Sequence, residues 1–104
     1  MIRTTVGLVS MTQTQDYIGQ MVNHETITEV LAEVRNVSMT EWTNAGQLGL
    51  QAAYQVKMIS GDYNGERLVD YDGKRYQVYR VYRDNRYIEL YLEEAVGHGS
   101  NRLQ

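Results

Sequence analysis

Three two-residue turn signals constrain this chain more than any other feature. Asn64-Gly65, Asp72-Gly73 and Asp84-Asn85 each separate segments rich in Tyr, Val, Ile and Leu. Asn-Gly and Asp-Gly are strong hairpin signals, because both central residues of a type I′ turn need positive φ. Asp84-Asn85 is a weaker form of the same signal. The spacing predicts a four-stranded antiparallel meander over Ala53–Tyr63, Glu66–Tyr71, Lys74–Arg83 and Arg86–Glu94.

Two-residue turns also fix register. Across Asp84-Asn85, Tyr82 should face Tyr87, Val81 Ile88, Arg80 Glu89, and Tyr79 Leu90. Across Asp72-Gly73, Val69 should face Tyr76 and Leu68 should face Gln77. One face then gathers Leu68, Tyr79, Val81, Ile88, Leu90 and Leu92, which reads as the core side. The other gathers Val69, Tyr76, Val78, Arg80, Tyr82, Tyr87, Glu89 and Tyr91, an amphipathic outer surface. Tyr54, Val56 and Met58 join the core side only if a bulge forms near Gly61, where glycine favours one.

The first half is less strongly patterned. Thr4–Thr12 alternates, with Val6 and Leu8 on one side, and reads as a strand. Gln15–Asn23, around Tyr17, Ile18, Met21 and Val22, reads as a loop or a short strand. Ile27–Ser38 alternates at Val30, Ala32 and Val34 and reads as a strand, although Glu, Ala and Leu also allow a helix. Ser38–Gln51 breaks the pattern. Thr40 can cap a short helix over Glu41–Ala45, with Gly46 and Gly49 ending it. Ala95–Gln104 has no apolar period and reads as a mobile tail. About six short strands in 104 residues suggest a small barrel or sandwich, and a barrel would also remove the exposed edges of the meander.

Composition narrows the functions. The chain has no cysteine, which excludes disulfides, a thiolate nucleophile and Cys-ligated zinc, and suits folding in a reducing cytoplasm. No run approaches the roughly 20 apolar residues of a membrane span, and Met1–Thr5 does not read as a secretory signal. Ten Lys and Arg are interspersed with thirteen Asp and Glu, for a net charge of −3, so no basic field marks a phosphate-gripping protein. Nine Tyr and no Phe put hydroxyl groups on nearly all the aromatic area, which suits half-wet surfaces such as interfaces.

Catalytic signals are missing. His24 and His98 fall in an expected loop and tail, without the convergent ligands of a metal site. Asp70 and Asp72 could hold a divalent ion, but turn chemistry accounts for Asp72, and Asp70 reads as an exposed strand residue. Ser10, Ser38, Ser60 and Ser100 lack a nucleophile-elbow setting. The expectation is no catalytic residue, no metal, no cofactor and no enzyme. Trp42, the only tryptophan, is either a lid over one barrel end or a partner contact.

A resemblance then becomes specific. Leu31-Ala32-Glu33-Val34, Val37-Ser38, and Glu41 with Ala45-Gly46 stand in an order similar to that of the phage head–tail joining family, the head-closure or stopper proteins of long-tailed phages. Asp62-Tyr63-Asn64-Gly65-Glu66, Gly73-Lys74-Arg75-Tyr76-Gln77-Val78-Tyr79-Arg80 and Ile88-Glu89-Leu90-Tyr91 continue it, over about Val30 to Glu93. Many relatives carry Trp where Leu31 stands, and the segment before Ile27 matches less well. The resemblance implies a small antiparallel β-barrel with long loops. It implies a ring, twelvefold by expectation, between the portal and adaptor and the tail-completion protein. That ring would sit in the virion neck after synthesis in the bacterial cytoplasm, with transient contact to packaged DNA and none to a membrane.

The loop carried over as channel or partner contact is Ser38–Gln51, with Ser38, Met39, Glu41, Trp42, Asn44, Gln47 and Leu50. The subunit interface is expected at Tyr76, Arg80, Tyr82, Tyr87 and Tyr91, because Tyr and Arg are enriched at interfaces. Ser38–Gln51 and the tail should then be the most mobile segments. The alternatives are another ring protein of the neck (adaptor or tail terminator) or a single-stranded nucleic-acid-binding barrel.

Overall fold

A computed structural model describes residues 2–94. The tail 95–104 and His98 lie outside the described residues. Six strands and one helix follow in order: β1 (Ile2–Gln15), β2 (Met21–Asn36), α1 (Met39–Gln47), β3 (Ala52–Ile59), β4 (Leu68–Tyr71), β5 (Lys74–Arg83) and β6 (Tyr87–Glu94), with a single 3-10 turn at Ser60–Asp62. The strands close an antiparallel barrel in the order β1-β2-β3-β6-β5-β4. The mainly-β, six-stranded barrel with one short helix is therefore what the turn signals and alternation indicated.

The order corrects one part of that reading. β4, β5 and β6 form the expected meander, but β3 pairs with β6 and β2, not with β4. Asn64-Gly65 is thus not a hairpin. Gly65 does take positive φ, at 88°, as such a turn residue should. The turn sits in a longer connection from β3 to β4, which stand opposite each other in the barrel. This connection crosses one barrel end. Tyr63, on it, joins the buried core, and its hydroxyl donates to the Glu66 carbonyl at 2.5 Å. The lid at this end is Tyr63 and not Trp42.

The core has the expected members from the first half and β3: Val6, Leu8, Ala32, Val34, Val56 and Met58. In β6, Ile88, Leu90 and Leu92 are fully buried. The β4–β5 register is as expected, with Val69 opposite Tyr76 and Leu68 opposite Gln77, but the faces are reversed. Val69 and Tyr76 are in the core, whereas Leu68 is only half-buried. The cause is a bulge in β5 between Val78 and Arg80. An extra residue in one strand flips the alternation beyond it. Gly61 lies in the 3-10 turn and makes no bulge. Beyond the β5 bulge, Val81 faces Leu90 and Arg80 faces Tyr91, two residues from the expected register, because Asp84 bonds to Tyr87 and the two turn residues are Asn85 and Arg86. Val81 stays 43% exposed and so is not a core residue. Tyr54, Tyr71 and Tyr76 close the other barrel end edge-to-face, with centroids 5.2 and 5.5 Å apart.

β1 and β2 form the longest hairpin, paired from Ile2–Val34 to Gln15–Met21. Their outer edges are partnered only near the base: β4 pairs with Gly7–Val9, and β3 with Glu33–Asn36. Beyond those rungs the hairpin is a two-stranded arm with two open edges. It accounts for extents of 51 × 36 × 23 Å and a radius of gyration of 15.2 Å, above the roughly 13 Å of a compact chain this long.

Candidate interaction surfaces

The described residues contain no group of three or more His, Asp or Glu placed to hold a metal. Three surfaces of the described residues hold the side chains expected to act, or expose large apolar groups.

The first is the segment expected as a loop. Ser38–Gln51 is mostly helix. Ser38, not Thr40, is the N-cap, and its Oγ accepts from the Glu41 amide at 3.1 Å, which satisfies one of the free donors of the first turn. The helix runs through Gly46, and Gly49 takes φ +81° beyond its end. It lies on the outward side of the β3-β6-β5 wall, with Ala45 buried and Gln55 beneath it 7% exposed. Glu41 fastens it there. One carboxylate oxygen accepts from the Tyr79 hydroxyl at 2.6 Å, and the other from the Arg80 guanidinium. Arg80 stacks on Tyr91, 4.1 Å from its centroid. Glu89 accepts from Gln55 Nε2 at 2.8 Å and from the Tyr91 hydroxyl at 3.3 Å. Burial first, then the Glu41 carboxylate, pushes the Tyr79 phenol well above its usual range, so Tyr79 remains a donor. The segment expected to be most mobile is a capped helix tied to the barrel wall. Asn44 and Gln47 point to solvent and Leu50 is half-buried, while Met39 and Trp42 keep an exposed apolar surface, at 76% and 57%.

The second surface is what remains of the expected tyrosine interface. Tyr76 is a core residue at 4% exposure and leaves that set, because the bulge turns it inward. Arg80 and Tyr91 are engaged by α1. Tyr82 and Tyr87 remain exposed on the outer face near the β5–β6 turn, beside Ile59, which faces Tyr87. Lys57 stacks over Tyr87 at 4.8 Å. Arg83 donates to Ser60 Oγ at 3.3 Å, and among the described residues neither it nor Arg86 forms an ion pair. The nine tyrosines therefore divide: Tyr54, Tyr63, Tyr71 and Tyr76 pack inside, Tyr79 and Tyr91 lie by α1, and only Tyr17, Tyr82 and Tyr87 offer large free area.

The third surface is the arm, whose tip falls in Gln15–Asn23, the segment expected as a loop or a short strand; β1 runs to Gln15 and β2 starts at Met21. Its tip is a bonded turn. Asp16 Oδ1 accepts from the Ile18 and Gln20 amides at 3.0 and 2.9 Å, and Gly19 takes φ +89°. That turn holds Tyr17 and Ile18 outward, at 98% and 64% exposure. Met11, Met21 and Ile27 add exposed apolar surface along the stem. His24, on β2 and not in a loop, meets Thr14 Oγ1 at 3.0 Å.

The arm is clamped at its root. Arg75 on β5 makes paired bonds to Asp70 (2.8 and 3.0 Å) and to Glu25 on β2 (2.9 and 2.9 Å). The contact spans β1 and β4, so the hairpin's outer face bends toward the β4–β5 ribbon. Asp70 is thus a guanidinium partner, not a free strand residue. The bidentate bonds to Arg75 hold the Glu25 carboxyl below its usual range. Gly7 permits the bend, because a Cβ there would meet Ile27 Cγ2 at 2.7 Å.

The chain matches no model of a known protein family, and no curated protein resembles it significantly.

Proposed function

We propose that this chain is a head-closure (stopper) protein of a phage or prophage head–tail connector. It forms a ring between the portal and adaptor and the tail, helps retain packaged DNA and attaches the tail. It works by assembly and is not an enzyme. The observation that carries the reading is the arrangement of contact surfaces on a closed barrel. An apolar arm and an aromatic turn of mixed charge project from one end, and an exposed Met39–Trp42 helix face is fixed toward the other. A subunit that must bind ring neighbours and also stack between two other rings needs separate surfaces of this kind. The ordered motifs that resemble the family fall on β2, α1, the connection from β3 to β4, and β5 and β6.

Within this reading α1 replaces a floppy channel loop. Met39 and Trp42 are the residues available to an axial partner, while Ser38 and Glu41 position them. The test is electron microscopy of the chain added to purified portal–adaptor assemblies. A new ring at the tail-facing end is expected. A chain that fails to bind, or that binds tails alone, would overturn head closure in favour of another neck position. One observation favours a second reading: Tyr82 and Tyr87 beside Arg83 and Arg86 could stack and neutralise single-stranded nucleic acid. A micromolar, salt-dependent affinity for oligonucleotides at physiological salt would establish it; none is expected.

A further inference from the structure

We propose that the arms of neighbouring copies pair edge to edge, with the open side of β1 in one copy against the open side of β2 in the next. The inference deepens the ring reading, from which it takes a neighbour that is another copy of this chain.

The pairing within the barrel defines the two edges. β1 meets β4 only at Gly7–Val9, and β2 meets β3 only at Glu33–Asn36. Ser10–Gln15 and the facing Met21–Thr26 have only each other as strand partners among the described residues. Alternate backbone N–H and C=O groups on each strand therefore point outward with no strand to receive them. Proteins usually blunt such edges with proline, a bulge or charge. Ser10–Gln15 has no charged residue, no proline and no glycine, and its ladder to β2 runs without a register shift. The barrel does not wall this edge off. A cleft of about 810 Å³ lies beside Ser10 and Met11, across from Gly65, Arg67 and Leu68.

Backbone geometry selects a copy of the same arm as the occupant. In an antiparallel ribbon, the residues that turn their backbone groups away from each other share a rung. One sideways step therefore sets the outward groups of β1 against those of the next β2, donor to acceptor, with the side-chain faces kept. Neighbours in a ring stand level, so the rungs inside one hairpin repeat between hairpins, from Ser10 with Thr26, through Gln13 with Asn23, to Gln15 with Met21. No rung sets like charges together, because the β1 side carries none. Pairing two β1 edges would leave both β2 edges open. The head-to-tail arrangement uses both edges of every arm, and on closing into a ring it leaves none exposed.

The absence of cysteine permits a clean test. Gln13→Cys marks β1, Asn23→Cys marks β2, both at exposed positions, and Gln47→Cys on α1 is a control. Concentrated mixtures of differently tagged single-cysteine chains are treated with a short bis-maleimide. Gln13→Cys chains are expected to link to Asn23→Cys chains in preference to themselves or to Gln47→Cys chains. Proline tests the backbone directly. Consecutive strand residues turn their amides to opposite edges, so one of Met11→Pro and Thr12→Pro removes an outward donor and the other an inward one. The outward variant should cut the linked product about tenfold, the loss of roughly one hydrogen bond between copies, with an unchanged melting temperature. The inward variant should instead speed amide exchange in Met21–Thr26. No link, self-linking of Gln13→Cys alone, equal linking to Gln47→Cys, or a link that neither proline weakens would overturn the pairing. Links without a ring on portal–adaptor assemblies would sink the neck reading alone. A ring whose neighbours fail to link would sink this inference alone.

Discussion

Strands β3, β6 and β5 are packed on their inner face and lie under α1 over part of their outer face, whereas the β1–β2 hairpin beyond Val9 is covered on neither. On the first wall, Ile88, Leu90 and Leu92 fill the core from inside, and α1 with its Glu41 contacts lies over the outside. On the hairpin, side chains from Met11 to Glu29 are exposed on almost every rung, and the strands hold only each other. Two-stranded ribbons are marginal alone, so the arm depends on the barrel, while the barrel owes the arm little. Stability and contact capacity are thus segregated along one chain. The wall carries most of the buried core, and the arm carries exposed apolar surface.

The largest test of that contrast is a matched pair of truncations. Leu90→Ala should lower unfolding stability by about 2–5 kcal/mol, as filled core sites do, while Ile18→Ala at the arm tip should stay within about 0.5 kcal/mol. Equal costs in denaturant melts would break the distinction. Gly7→Val probes the boundary. Its branched side chain would collide with Ile27, and overpacking of this kind costs about 1–3 kcal/mol, readable as a lower melting temperature.

A smaller effect is expected at the helix tie. Glu41→Gln removes the charge that Arg80 and Tyr79 share, at a cost of about 1 kcal/mol after allowing for the half-exposed arginine. It should also let Tyr79 ionise at lower pH, seen in the ultraviolet phenolate absorbance, and should speed amide exchange in α1 only.

The smallest effect is confined to the arm. Because the folded-state pKa of Glu25 lies below its ordinary value of 4.5, the Arg75 clamp is complete above that value. It is lost as pH falls through the depressed one. Amide protection in Met21–Thr28 should fall in that acid window, while the β6 core amides keep theirs. Arg75→Met should abolish the pH dependence.

The sequence made the closed wall more readable than the arm. Alternation found Val6, Leu8, Val34 and Val56 because each faces a filled core. The tip of the arm buries little, so no alternation marks it, and Gln15–Asn23 reads as a loop or a short strand. Its signals were the Asp16 side chain, suited to bonding amides two and four residues on, and Gly19 at positive φ. The bulge in β5 carries no glycine and no local mark. It is bound up with a contact from α1, far along the chain, so register logic put Tyr76 and Val78 outside; Val81 does share the inward face of Leu90 but lies near the barrel rim. Asn64-Gly65 showed the limit of turn chemistry. It correctly marked a turn but could not say which strand β3 would join. Of the expected site residues, Tyr82 and Tyr87 kept their free surface, and Glu41 proved to be a fastener rather than a loop contact.

The bulge at Tyr79 leaves a lasting mark on how this strand can vary. On either side of it, β5 obeys the same in-and-out rule with opposite phase. A substitution scan should therefore show tolerance alternating along Tyr76–Val78, slipping by one position, and resuming along Arg80–Arg83. Loss of that single residue would bring both halves into one phase. Either the core half or the helix-bearing half would then face the wrong way, so β5 can drift in composition far more freely than in length.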